Sequence, residues 1–182
     1  SLRRGCGEPS LVRFGDKYLL TLRSDEYGSV AESRDGLRFS APKKWTWEDG
    51  EPIGNANTQQ HWGPLGNRIC LAYTRKTPSN GHVFRNRAPI FLSEVDPERL
   101  CLRRKTEIPI VPDRGARLGN FCVAPGSGRE TWLTTAEWMQ PRGCEKYGSD
   151  NSIWLVRLQE LVPRKRGVLA LTFDDRSIGH WR

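Results

Sequence analysis

The sequence predicts an all-β protein, and two observations about its 182 residues carry that prediction. Helical periodicity is nearly absent, and short runs that alternate apolar with polar residues recur instead. Turn residues punctuate these runs, at Gly15-Asp16, Asp35-Gly36, Gly66-Asn67 and Gly126-Ser127-Gly128. Short strands with such punctuation are typical of a β-sandwich, a barrel or a propeller. The predicted strands are Ser10–Phe14, Lys17–Arg23, Gly28–Ser33, Arg68–Thr74, Pro89–Val95, Glu130–Glu137 and Ile153–Leu158.

The predicted strands fall into three groups of similar make-up, and this repetition favours a propeller. The first group fills the first forty residues, the second runs from about His61 to Ile110, and the third from about Asn120 to Leu158. Repeating units of about 40 to 50 residues match the size of a propeller blade. We therefore predict a partial β-propeller of three to four four-stranded blades over residues 1–160.

The composition excludes several classes of protein. Apolar residues make up only 36% of the chain, but seven Trp, six Phe and four Tyr supply enough bulk for a core, so disorder is not expected. No apolar run approaches the roughly 20 residues that span a bilayer, and we predict no membrane association and no cofactor. The five cysteines lack the paired spacing of zinc sites. We expect most of them as buried free thiols, with room for one or two disulfides.

The charge balance does not indicate nucleic acid as a partner. Lys and Arg number 29 against 21 Asp and Glu, a formal net charge of +8. Only Arg164-Lys165-Arg166 forms a compact basic run, whereas nucleic-acid binders cluster such residues on one element, so nucleic acid is not the predicted partner. The excess of Arg over Lys suits planar, bidentate recognition of carboxylates. An acidic sugar and an ordinary basic surface both explain the excess.

The segment from Ser33 to Phe39 carries its own turn chemistry. A serine and an aspartate two residues apart, Ser33 and Asp35, can bond the backbone of a hairpin turn, and Gly36 supplies a positive φ. The segment resembles the Asp-box of sialidase-like β-propellers, although it is one residue short and ends in Phe rather than Trp. A plain hairpin turn predicts the same residues. The resemblance implies the later blades of a sialidase-superfamily propeller.

The resemblance to sialidases extends to residues in the order Glu, Arg, Arg, Tyr. Glu8 at the start of one strand and Arg23 at the end of the next look like two family positions, a base and a substrate-binding arginine. Arg85 or Arg87 is similar to another arginine of the family's carboxylate-binding triad, and Tyr147 resembles its nucleophile. The resemblance implies that Glu8 activates Tyr147 while the arginines hold the carboxylate of the substrate.

Elementary chemistry favours such a set of residues. A tyrosine with a pKa near 10 is a poor nucleophile until a carboxylate accepts its proton. A neutral attacking group avoids like-charge repulsion when the reacting carbon of the sugar bears its own carboxylate. The inner strands of a propeller converge on one central pocket, so residues far apart in sequence can meet there.

Three further residues are candidate substrate contacts. His61 belongs to a polar cluster beside an aromatic residue, and Arg117 and Asn120 lie in a glycine-spaced basic segment. Each candidate also has an ordinary structural interpretation, such as a surface ion pair or a satisfied strand edge. We predict a fragment of a carbohydrate-active protein that acts on acidic sugars. The alternatives are a polysaccharide lyase or uronate-directed hydrolase on the same propeller, and a non-catalytic glycan-binding or structural propeller.

The last residues predict a change of domain. Residues 161–167 look like a basic linker, and residues 168–182 like the first strand of a second domain. Its Thr-Phe-Asp-Asp string resembles the opening strand of polysaccharide deacetylases, in which Asp174 and Asp175 match a catalytic base and a metal ligand. That set is incomplete, so no metal site is predicted. We expect a window from a longer protein, inactive alone, and the sialidase resemblance favours a secreted or periplasmic parent.

Overall fold

The computed structural model describes residues 5–127 and 129–159, and these residues contain β-strands and short 3-10 helices but no α-helix. The strands are β1 (Gly7–Phe14), β2 (Lys17–Arg23), β3 (Gly28–Ser33), β4 (Lys43–Lys44), β5 (His61–Leu65), β6 (Arg68–Tyr73), β7 (Ile90–Asp96), β8 (Cys101–Leu102), β9 (Ile108–Val111), β10 (Cys122–Pro125), β11 (Glu130–Ala136) and β12 (Ile153–Gln159). The 3-10 helices are Phe84–Asn86, Arg104–Thr106 and Cys144–Tyr147.

The strands form three antiparallel sheets, each of which is one propeller blade. Blade 1 has the order β1-β2-β3-β4, and blade 3 has the order β10-β11-β12. Blade 2 has the order β5-β6-β7, with both β8 and β9 paired to β7. The first strands of the blades lie side by side, because β5 contacts both β1 and β10. The predicted all-β partial propeller is confirmed, with strand counts of four, five and three.

Blade 2 contributes to both halves of the hydrophobic core. On β6, Leu71 and Tyr73 pack toward blade 1 while Cys70 and Ala72 pack toward blade 3, because successive side chains alternate across a strand. The cluster between blades 1 and 2 includes Leu19, Val30, Trp45, Trp47, Trp62 and Phe91. The cluster between blades 2 and 3 includes Leu65, Ile90, Leu92, Ile110, Leu133 and Val156. A strand buried on both faces has a continuous apolar sequence, as β6 does.

The hairpin after β3 has the turn chemistry that its sequence predicts. The Ser33 hydroxyl accepts hydrogen bonds from the backbone N–H groups of Asp35 and Gly36, at 3.3 and 2.9 Å. The Asp35 carboxylate accepts two more, from Leu37 and Arg38, at 2.9 and 2.8 Å. These bonds, led by the one from Arg38, lower the pKa of Asp35. The turn is therefore built by its own side chains, and its likeness to an Asp-box stays a resemblance.

The two edges of the blades differ, and we name them here. The site end is the edge where β1, β5 and β10 begin and where β2, β6 and β11 end, as the strand registers require. The connections β2–β3, β6–β7 and β11–β12 and the crossings between blades lie at this end. The turn end is the opposite edge, with tight turns at Gly15-Asp16 and Gly66-Asn67 and the Ser33 hairpin.

Several sequence predictions have direct outcomes. All five cysteines are free; Cys70, Cys101 and Cys144 are buried and Cys6 and Cys122 are exposed. No helix in the described part of the chain is long and apolar enough to cross a membrane. The predicted linker at 161–167 and the deacetylase-like strand at 168–182, with Asp174 and Asp175, lie outside the described residues.

Candidate functional site

All the predicted site residues of the propeller lie at the site end. Glu8 and His61 lie in the first residues of the inner strands β1 and β5, and Arg23 ends β2. The remaining predicted residues lie on the site-end connections: Arg85 and Arg87 between β6 and β7, Arg117 and Asn120 between β9 and β10, and Tyr147 between β11 and β12. The fold therefore brings these segments from all three blades to one edge.

An irregularity in β1 sets the direction of the Glu8 side chain. The register of β1 with β2 shifts between Gly7 and Ser10, and Glu8 has a φ of 47°, in the left-handed region. Its Oε2 atom lies 2.7 Å from the Nε atom of Arg23. The two residues expected to serve base and carboxylate-binding roles are thus paired with each other.

Asn57 joins blade 1 to the basic segment of blade 2. Its side-chain oxygen accepts a hydrogen bond from Arg23 at 2.8 Å, and its backbone oxygen accepts one from Arg87 at 2.5 Å. The backbone N–H of Leu118 donates to the carbonyl of Arg87 at 2.7 Å, which ties the β9–β10 segment to the same point. Asn57 was not predicted, because an asparagine in an irregular segment has no sequence signal.

Arg87 and Arg117 are the two buried arginines of the described chain, each 7% exposed. Neither has an acidic group within ion-pair distance among the described residues, and the Nε atom of each lacks a hydrogen-bond partner there. Burial lowers the pKa of Arg87, and the positive charges of Arg117, Arg85 and Arg23 lower it further, while Glu8 raises it. Burial lowers the pKa of Arg117 as well. The site therefore concentrates positive charge that the described residues leave uncompensated.

Arg117 also contacts two aromatic rings. Its guanidinium carbon lies 3.4 Å from the ring centroid of Trp138 and 5.3 Å from that of Phe84. Arg85 lies 5.2 Å from the Phe84 ring. A backbone bridge between Arg117 and Trp138 fixes the first stack, since the N–H of Trp138 donates to the carbonyl of Arg117 at 3.0 Å.

A line of polar groups connects the inner strands. The Nε2 atom of His61 lies 2.6 Å from the side-chain oxygen of Gln59, whose amide donates to Asn120 at 3.3 Å. The His61 ring packs edge-on against Phe121, with centroids 5.2 Å apart. Burial lowers the pKa of His61, while the charge of Glu8 raises it. His61 and Asn120 are thus brought together, as substrate contacts would require.

Tyr147 is held at the outer part of the site end. Its ring lies 4.2 Å from that of His82, which in turn lies 3.4 Å from Asp113. Gly115 allows this position, because a Cβ atom there would lie 2.7 Å from Tyr147. The contacts of Tyr147 are therefore to His82 and Gly115, and the Oε2 atom of Glu8 is on Arg23. The predicted pairing of Glu8 with Tyr147 stays a prediction.

Glu137 is a buried carboxylate that sequence reasoning missed. It accepts hydrogen bonds from the backbone N–H groups of Asp150 and Ser152, at 2.8 and 3.1 Å, and lies 3.4 Å from Arg114. It therefore fixes the loop that carries Tyr147. A single acid after an alternating strand gives no signal of such a role. No group of three His, Cys, Asp or Glu side chains in the described residues is placed to hold a metal ion.

Comparisons with known proteins establish the fold. No family model matches the chain, and no curated protein matches it. Among solved structures, it is similar to a thermostable family-43 glycoside hydrolase, with a TM-score of 0.57 and 13% identity over 85% of this chain and 48% of the other. The family-32 β-fructofuranosidase BmSUC1 of Bombyx mori gives a TM-score of 0.54 and 17% identity, over 85% and 35%. The xylan β-1,4-xylosidase of Bacillus halodurans C-125 gives 0.55 and 14%, over 86% and 29%.

These neighbours are five-bladed β-propeller enzymes, so the three blades described above have the fold of a partial β-propeller. The chain spans about half of the first of these structures or less. At this level of identity the similarity concerns the fold alone, and none of the three is a sialidase.

Proposed function

We propose that the site end binds an acidic sugar and that Arg87 and Arg117 hold its carboxylate. The observation that carries this proposal is the pair of buried guanidinium groups without an acidic partner among the described residues. A buried charge without compensation is costly, and a bound anion removes that cost. Arginine suits the task because its planar fork matches a carboxylate with two parallel hydrogen bonds.

Sugar chemistry explains the rest of the site better than a free inorganic anion does. Sugars need many directional hydrogen-bond partners, and the amides of Gln59 and Asn120 and the imidazole of His61 form a connected set beside the arginines. The similarity to propeller glycoside hydrolases supports a carbohydrate as the ligand. Arg23, first expected in the carboxylate clamp, is paired with Glu8 and so contributes less positive charge than Arg87 or Arg117.

Two kinds of catalysis fit an acidic sugar held in this way. In the sialidase-type reaction, Tyr147 attacks the anomeric carbon while Glu8 accepts the phenolic proton, and the aglycone oxygen takes a proton from water as it leaves. A second water then hydrolyses the glycosyl-tyrosine bond and releases the sugar. This reaction requires Glu8 to leave Arg23 and approach Tyr147. In a lyase reaction, an arginine neutralises a uronate carboxylate and a neutral His61 removes the adjacent proton. The glycosidic C–O bond then breaks as the double bond forms, the departing oxygen takes a proton from water, and an unsaturated sugar remains. The burial that lowers the pKa of His61 favours this second candidate.

Binding tests the proposal directly. We expect the 182-residue chain to bind N-acetylneuraminic, glucuronic or galacturonic acid in calorimetric titrations and to bind xylose and glucose far more weakly. Arg87→Ala should weaken the acidic sugar about 100-fold, because charge-assisted hydrogen bonds to a buried carboxylate contribute about 1.5–3 kcal/mol. Arg34→Ala is the matched control, since Arg34 is an exposed arginine that pairs with Asp16 at the turn end. Equal affinity for acidic and neutral sugars, or equal losses in the two variants, would refute the proposal.

Turnover distinguishes the two catalytic candidates. Tyr147→Phe removes only the hydroxyl group and should abolish release of a fluorescent aglycone from a sialoside if Tyr147 is the nucleophile. His61→Gln should instead abolish the ultraviolet absorbance of an unsaturated uronate product if His61 is the base. Binding without either reaction supports a glycan-binding propeller, the non-catalytic alternative.

A further inference from the structure

We propose that Phe84 and Trp138, stacked with Arg117, form a platform that binds the next sugar unit, so that the ligand is an acidic oligosaccharide rather than a monosaccharide. We call these three residues the stacking platform. This inference rests on the proposed function, because the platform adjoins the arginines that hold the first carboxylate. It adds a second binding position and sets the minimum length of the ligand.

The exposure of aromatic side chains is the first observation. Among the described residues, the aromatic side chains that are largely exposed are Phe84 at 41%, Trp138 at 49% and Tyr147 at 44%. All three lie on site-end connections, whereas Trp45, Trp47, Trp62, Tyr73, Phe91 and Phe121 are buried in the core. Large apolar groups exposed together beside a polar cluster mark a binding surface. The apolar C–H face of a sugar ring packs on such rings.

Arg117 and Trp138 hold each other in place within the platform. Arg117 is nearly buried, and its guanidinium carbon lies 3.4 Å from the Trp138 ring centroid. The backbone bridge between these two residues holds both ends of the stack. One face of the indole is therefore covered by Arg117, while about half of the side chain stays open to solvent. A fixed ring loses little conformational entropy on binding, which favours affinity.

Arg117 links the platform to the first carboxylate site. Its charge lowers the pKa of Arg87, so the two guanidinium groups are electrostatic neighbours. Arg85 lies 5.2 Å from the Phe84 ring centroid and adds a further positive charge beside the platform. A sugar unit stacked on Phe84 and Trp138 would thus lie near both Arg117 and Arg85. Charge complementarity requires that this second unit, like the first, be acidic.

Aromatic and arginine side chains are also enriched in protein–protein interfaces. The platform favours a glycan because its rings adjoin the line of amides and the buried unpaired arginines, which a sugar acid satisfies. A protein partner is one of the outcomes of the test below, and it would overturn the inference.

Calorimetric titration with matched monomers and trimers tests the platform. We would titrate the 182-residue chain with galacturonic acid and its trimer, with N-acetylneuraminic acid and its homotrimer, and with xylotriose as a neutral trimer. We expect one acidic trimer to bind at least about tenfold tighter than its monomer, equivalent to about 1.4 kcal/mol. Phe84→Ala should remove about tenfold from the trimer affinity and change the monomer affinity less than twofold. Trp138→Ala also uncovers Arg117, so it should weaken both ligands, and the trimer by about tenfold more than the monomer.

The control is Leu37→Ala, which removes a side chain that is 85% exposed at the turn end and should change neither affinity. Trp138→Phe keeps a ring and should retain most of the preference for the trimer. An acidic monomer that binds as tightly as its trimer would overturn the platform and leave the proposed function intact. The same holds if the aromatic variants lose monomer and trimer equally. If no acidic sugar of either length binds, as expected for a protein partner, the proposed function and this inference both fail.

Discussion

The two ends of the blades differ in their buried positive charges. At the turn end, the partly buried Lys17 lies 2.8 Å from Glu98 and 3.3 Å from Glu32, and Arg157 lies 2.6 Å from Glu130. At the site end, the buried Arg87 and Arg117 have no acidic partner among the described residues. Ion pairs with an exposed partner add little to stability, whereas unpaired buried charges lower it unless a ligand compensates them.

The two ends also differ in backbone conformation. Seven described residues other than glycine have a positive φ. Six of them lie at the site end: Glu8, Asn57, Arg85, Asn86, Asn120 and Asn151. The seventh, Leu100, lies in the β7–β8 turn. At the turn end, glycines such as Gly15 and Gly36 adopt this conformation without steric cost. Asparagine adopts this conformation readily, so the strained positions at the site end are Glu8 and Arg85. Strain of this kind is typical of a functional site, where side-chain direction matters more than local stability.

Matched glycine substitutions sharpen this comparison and have the largest expected effect. Gly115 at the site end and Gly15 at the turn end both have a positive φ, at 90° and 62°. A Cβ atom at Gly115 would lie 2.7 Å from Tyr147 and 2.8 Å from the backbone oxygen of Cys144, whereas the space at Gly15 is open. We expect Gly115→Ala to lower the free energy of unfolding by about 3 kcal/mol, from backbone strain and overpacking together. Gly15→Ala should cost about 1–2 kcal/mol from strain alone.

Chemical denaturation of both variants measures this difference. The effect of alanine on the unfolded chain is the same at both positions, so it cancels in the comparison. Gly115→Ala should also displace the ring of Tyr147, which its aromatic proton resonances would report, since Tyr147 stacks on His82. Equal losses of stability, with the Tyr147 resonances unmoved, would show that the loop adapts and that Gly115 does not fix Tyr147.

Much of the fold could be predicted from the sequence because its outer strands are regular. The predicted strands at 17–23, 28–33 and 153–158 agree with β2, β3 and β12 to within one residue. The inner strand β10 was not delimited, since Cys-Val-Ala-Pro is short and ends in proline. β5 was only placed at its start, because it contains both Gly63 and Pro64. Inner strands are shaped by close packing at the centre, which alternation does not report.

The site could be predicted in its location but not in its pairing. The arginines and His61 were identified by residue type and order, and the propeller topology brings them to one end. The pairing of Arg23 with Glu8 depends on an irregular β1 register. The stacking of Arg117 on Trp138 depends on a bridge between distant segments. Contacts of this kind are set by tertiary structure, so no local pattern contains them.

The free energy of unfolding should depend on pH differently at the two ends. This is the smallest of the expected effects. Burial lowers the pKa of His61 below its ordinary value of about 6.5. Its contribution to stability is therefore fully present above about pH 6.5 and is lost as the pH falls below that value. At the turn end, backbone N–H groups, first that of Arg99, lower the pKa of Asp96. Its contribution is present above the ordinary aspartate pKa of about 3.9 and is lost only in stronger acid.

Urea unfolding from pH 7.5 to pH 3 resolves the two pH ranges in which stability is lost, because the ordinary pKa values of histidine and aspartate differ by about 2.6. His61→Gln should flatten the stability curve just below about pH 6.5 and leave the acid limb unchanged, whereas Asp96→Asn should do the reverse. Glu8→Gln sharpens the test at the site end, because the charge of Glu8 raises the pKa of His61 and its removal should move that range to lower pH. If the plot of unfolding free energy against pH keeps its slope near pH 6 in His61→Gln, another group causes the loss of stability there. The electrostatic distinction between the ends would then rest on the arginines alone.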